Sequence, residues 1–148
     1  MRSVLAFLAI ALVAISLWYL AAPPRDEGAY RERAARSAQT LGAQVRTAAL
    51  WSSALEDGKT LSTSAQVGIA DNARSAHAAA TRFEGYEPPR GADDVRRRYS
   101  DLASRVTTLL DDLDIAARRG EWQEIERARP QLERLGRELD AFRAEVRG

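Results

Sequence analysis

The chain has 148 residues, 22 Lys+Arg against 21 Asp+Glu for a formal net charge of +1, and no cysteine. A length of this order holds a membrane segment plus one domain and excludes a multidomain enzyme, while the near-neutral balance argues against a dedicated nucleic-acid binder. The lack of cysteine removes disulfides, thiolate zinc sites, covalent haem attachment and lipoprotein acylation. Lys59 is the only lysine, and the arginines are spread along the whole chain beside abundant alanine. That skew reads as high-GC coding bias, although arginine is also the side chain suited to bidentate anion contacts.

From Val4 to Ala22 only Ser16 is clearly polar. At the helical rise this stretch reaches about 28 Å, close to the hydrocarbon thickness of a bilayer. Trp18 and Tyr19 stand near its end, where amphipathic rings favour the headgroup level, and Pro23 and Pro24 stop the helix just outside. A cleaved secretory signal is the competing expectation, but its small-x-small site fits poorly. A cut after Ala22 puts Leu20 at the outer recognition position and Pro23 next in line, and a cut after Ala21 puts bulky Tyr19 there. Residues 1–24 are therefore expected to be a retained signal-anchor, with a secreted body as the alternative. Arg2 and the terminal amine favour an inside amino terminus, whereas Arg25, Arg31, Arg33 and Arg36 pull the other way. Because a short basic head before an apolar run normally exports the rest of the chain, the expectation is a single-pass protein of the cell membrane with an extracytoplasmic body.

The body, residues 25–148, carries four helical periods and no strand-like alternation. The first apolar stripe is Ala34, Ala38, Leu41, Val45, Ala48 and Leu55, with Arg31, Arg33, Arg36, Gln39 and Arg46 largely on the wet side. Glu56, Asp57, Gly58 and Lys59 end it, Gly58 being suited to a left-handed cap. The second stripe is Leu61, Ala65, Ile69, Ala73, Ala76, Ala80 and Phe83. Its alanines allow close helix approach but bury little area, and Gly68 and the Asp71-Asn72 pair weaken its first half.

Gly85, Pro88, Pro89 and Gly91 mark the one long connection, after which Asp93 and Asp94 stand at a helix start. The third stripe, Val95, Tyr99, Leu102, Val106, Leu109, Leu113 and Ala116, alternates spacings of about four and three without interruption. Arg118, Arg119 and Gly120 close it and Glu121 opens the fourth helix, whose stripe is Ile125, Ala128, Leu132, Leu135, Leu139, Phe142 and Val146. Pro130 interrupts that stripe, and the expectation is a kink or a short break there.

The fold class expected is thus all-α, an N-terminal transmembrane helix followed by an antiparallel up-down-up-down four-helix bundle. This topology predicts a membrane-proximal layer of Tyr30, Phe83, Tyr99 and Phe142, with Trp51 and Trp122 near the distal end.

His77 lacks the Cys, Glu-x-x-His or second His that a metal or haem site needs, and reads as the edge of a packed stripe. Asp111, Asp112, Asp114, Glu121 and Glu124 form an acidic patch without a calcium-loop pattern and read as a wet face. Arg96, Arg97 and Arg98 are candidates for lipid-headgroup contact, weighed against ordinary solvated helix ends. Trp51 and Trp122 are candidates for partner binding, weighed against packing at the end of the core. No phosphate loop, nucleophile elbow or nucleophile beside a base occurs, so no enzymatic activity, cofactor, metal or nucleic acid is expected.

A single span followed by a small Ala/Arg-rich bundle resembles the membrane-anchored helical-bundle proteins of high-GC bacteria, and the turn Ala117-Arg118-Arg119-Gly120-Glu121-Trp122 is similar to their helix-hairpin turns. The four-helix body also resembles the ligand-sensing ectodomains of chemoreceptors and sensor kinases, but the return span and cytoplasmic output domain of those receptors are not found before Gly148. The resemblance implies a membrane-tethered interaction module, held by residues 4–22, that docks an envelope protein or a like copy. The alternatives are a sensor for a small hydrophobic ligand, with a cavity lined by Ala65, Ile69, Ala73 and Val106, or a passive spacer.

Overall fold

A computed structural model describes residues 26–148. These form four α-helices, α1 (Glu27–Glu56), α2 (Ser62–Glu84), α3 (Asp93–Arg119) and α4 (Trp122–Arg147), and no strand occurs among the described residues. The expected transmembrane segment lies outside the described residues, and within them no helix is long and apolar enough to cross a membrane.

Each boundary has a local chemical cause. Asp26 caps α1, its carboxylate accepting the Ala29 N–H at 2.6 Å, and Glu27 follows in the first turn where negative charge offsets the dipole. The helix ends where Gly58 takes φ +64° and the Lys59 N–H turns back to the Ala54 carbonyl at 2.8 Å. Gly120 ends α3 in the same way, with φ +72° and the Glu121 N–H returning to Ala116 at 2.9 Å. The other three helices lack a side-chain cap; at α3, buried Ala92 holds the cap position, so Asp93 and Asp94 support the helix start through the dipole rather than as caps.

The buried faces follow the apolar stripes with three departures. Leu61 is 74% exposed, because it stands at the N-cap of α2 and points away from the core. Leu55 and Ala128 are only partly buried, near the ends of their helices at one pole of the bundle. Pro130 does not break α4, which runs through it from Trp122 to Arg147. The ring's exposed position on the helix surface spares the core, and what is lost is the backbone donor that would have served the Glu126 carbonyl.

Helix α1 packs against all three others, whereas α2 and α4 stand at opposite corners and do not touch. Pairs such as Tyr30 with Phe83, His77 with Asp111 and Arg98 with Glu145 set sequence neighbours antiparallel, and Arg46 with Asp140 joins α1 to α4. In this frame α1 and α2 bury mainly alanines (Ala34, Ala38 and Ala48; Ala65, Ala76 and Ala80), while α3 and α4 bury leucines such as Leu110, Leu113, Leu132, Leu135 and Leu139.

The two poles differ. At one, Phe83 lies 5.0 Å from Tyr30 and 4.2 Å from Tyr99, and Tyr99 lies 6.2 Å from Phe142, ring centre to ring centre. All four helices thus contribute to the expected aromatic layer, and tilted rings at these separations attract one another. At the other pole, Trp51 and Trp122 pack against the core edge, and the buried Ser52 hydroxyl donates to the Ile125 carbonyl at 3.1 Å, tying α1 to α4.

Candidate functional site

The residues singled out in the sequence are mostly held by neighbours within the fold. Arg96 is half-buried and donates to the Tyr86 carbonyl at 2.8 Å and the Glu84 carbonyl at 3.3 Å, which pins the proline-rich connection to the start of α3. Arg98 reaches α4, its Nη2 lying 2.6 Å from Glu145, with its guanidinium 5.6 Å above the Phe142 ring. That guanidinium holds the Glu145 carboxyl below the usual range. Arg97 alone of the three projects mainly into solvent, with a 3.1 Å contact to Asp94.

Trp51 is a wedge between helices. An added Cβ at Gly68 would fall closer than 3 Å to its indole ring, so α1 and α2 approach here only because position 68 has no side chain. Trp122 is half-buried beside a shallow hollow bounded by Gly120, Gln123, Glu124 and Arg127. His77 is half-exposed and its Nε2 lies 2.9 Å from the Asp111 carboxylate, linking α2 to α3. Asp114 pairs with Arg118 at 2.8 Å and Glu124 with Arg127 at 2.6 Å, while Asp112 and Glu121 face solvent. No group of three His, Asp or Glu among the described residues could hold a metal ion.

Two surface hollows stand out beside these. The first lies between α1 and α4, where Ala49, Leu50, Leu132 and Gly136 form an apolar floor within a rim of Arg46, Glu133, Arg137 and Asp140. Leu50 there is 69% exposed, and a 3.2 Å ion pair joins Arg46 to Asp140 across the rim.

The second lies between α1 and α2, has a volume of about 180 Å³, and is lined by Arg33, Arg36, Ser37, Thr40, Ala79, Arg82, Phe83 and Tyr86. The Arg33 guanidinium stacks 4.5 Å from the centre of the Tyr86 ring, and the Ser37 hydroxyl at the base contacts the Tyr99 hydroxyl at 2.5 Å. None of its lining residues is acidic, whereas the hollows beside Leu102, Trp122 and Leu50 each have at least one carboxylate in the wall. This cationic site has no signature in the linear sequence. Arg33 and Arg36 belong to the wet side of the first stripe and Arg82 to the end of the second; only the register set by Tyr30 against Phe83 brings them together.

No protein family matches this chain, and comparisons with curated proteins and with solved structures find no match either.

Proposed function

We propose that this protein is a membrane-tethered, extracytoplasmic helical-bundle module that docks a protein partner, with residues 4–22 as the tether and the α1/α4 hollow around Leu50 as the contact face. The observation that carries the reading is the position of Leu50, a large apolar side chain 69% exposed over a floor of Ala49, Leu132 and Gly136. Burial of such a side chain against a partner contributes about 1.5–3 kcal/mol, and the mixed charges of the rim supply orientation. A sensor of small hydrophobic ligands is less well supported. Ala65, Ile69, Ala73 and Val106, which would line its cavity, are all buried in the core, and none lines any of these surface hollows. Tethering is supported by the apolar length from Val4 to Ala22 and by the capped start of α1 soon after it.

The test is a photo-crosslinking residue at position 50 in the full-length chain in cells. The expected result is a discrete adduct, whose mass distinguishes an envelope protein from a second copy, and which disappears when Ala49→Glu is added. No adduct, or one indifferent to Ala49→Glu, contradicts docking at this face and leaves the spacer reading.

A further inference from the structure

The cationic hollow between α1 and α2 lies apart from the α1/α4 hollow around Leu50. We propose that it is a binding site for a phosphate group, with Arg36 and Arg82 as its principal donors and Arg33 as a stacked, pre-oriented third.

Charge selection is the first argument. The chain is nearly neutral and many of its arginines are matched: Arg31, Arg98, Arg105, Arg118, Arg127 and Arg129 each have a carboxylate within 3 Å. Arg82, like Arg90, Arg119, Arg134 and Arg137, has no ion pair among the described residues, and Arg36 has only a loose 3.7 Å contact to Glu32, but Arg36 and Arg82 alone of these line one hollow together. These two guanidinium side chains therefore share a hollow whose lining holds no carboxylate to balance them. Bringing like charges together is unfavourable unless an anion joins them.

Geometry is the second. The site is concave, so a bound group meets donors from two helices at once, and Phe83 and Ala79 give it a low-dielectric floor that strengthens ionic hydrogen bonds. The Arg33 guanidinium carbon lies over the Tyr86 ring, a contact that restricts its rotamers and lowers the entropy cost of binding. One bidentate guanidinium is enough for a carboxylate, whereas a phosphate group, with three free oxygens and nearly two charges, matches several. The hollow also lies at the aromatic pole, close to the start of α1. The same chemistry is available from two sources, a phosphate headgroup in a bilayer or a soluble phosphate compound.

The proposal is independent of docking through Leu50, which lies on the α4 flank of α1, so either reading can fail alone. The experiment uses the full chain in phosphatidylcholine nanodiscs and reads phenylglyoxal modification of each arginine by peptide mass spectrometry. One arm adds inorganic phosphate against chloride at equal ionic strength, and the other replaces part of the lipid with phosphatidic acid. The expected result is that modification of Arg36 and Arg82 slows about tenfold in at least one arm, as charge-assisted contacts require, while Arg97 reacts as before. Protection by phosphate alone assigns a soluble ligand, and protection by phosphatidic acid alone assigns a headgroup. Arg36→Gln, at an exposed position whose loss leaves the core intact, should remove the protection of Arg82. No protection in either arm, equal protection of Arg97, or protection of Arg82 that survives Arg36→Gln overturns the proposal.

Discussion

Gly68 and Tyr99 show how single positions are decided by contacts far away in sequence. In an isolated helix Gly68→Ala should stabilise by about 1 kcal/mol. Here the added methyl group would meet the Trp51 indole, and the expected net outcome is a loss of about 1–3 kcal/mol with Trp51 pushed toward water. Denaturant unfolding and a red shift of Trp51 emission check this; unchanged stability and emission would show that the ring does not bear on position 68. Tyr99 is buried and hydrogen-bonded to Ser37, and burial pushes its pKa up to about 12, with the Ser37 bond acting in the opposite direction. The folded protein therefore holds this proton over a range where the unfolded chain, titrating near the ordinary value of 10.0, has released it. Its contribution to stability is complete below pH 10 and is lost as pH rises from about 10 to about 12. Alkaline unfolding should steepen across that window and become shallower in Tyr99→Phe; an identical slope in the variant would contradict the assignment.

At the level of elements, the stripe of α3 is fully legible in the sequence because each of its members from Val95 to Ala116 at four-three spacing is buried. The aromatic layer is legible for a related reason, since antiparallel connection fixes which helix ends meet. Information held between helices is not. Leu61 fits the period of α2 but occupies its cap, where periodicity no longer sets direction. Gly68 reads as a weak point until Trp51 is placed on it. The arginine hollow depends on two helix faces that each look merely solvated.

Pro130 reads as an interruption, yet α4 continues through it because its packing elsewhere outweighs one missing backbone bond. Pro130→Ala should accordingly stabilise the protein by about 1–3 kcal/mol by restoring a donor to the Glu126 carbonyl. Thermal melting checks this, and a lowered midpoint would mean that the proline is accommodated without the lost bond.

The whole molecule is a bundle whose ends are chemically unlike. One pole gathers Tyr30, Phe83, Tyr99 and Phe142 with Arg96, Arg98 and the cationic hollow; the other carries Trp51, Trp122 and the Ser52–Ile125 link. Cross-helix ion pairs such as Arg46–Asp140 and Arg129–Glu56 are half-exposed and contribute little to stability, so cohesion rests on the buried core. The proposed tether precedes α1, and the proposal therefore sets the aromatic pole toward the membrane and the tryptophan pole away from it. Single-tryptophan variants of the full chain, retaining Trp18, Trp51 or Trp122 in turn, can be reconstituted with lipids that carry a quencher in the acyl chain. The account predicts strong quenching of Trp18 and none of Trp51 or Trp122; quenching of either body tryptophan, or an unquenched Trp18, would contradict it.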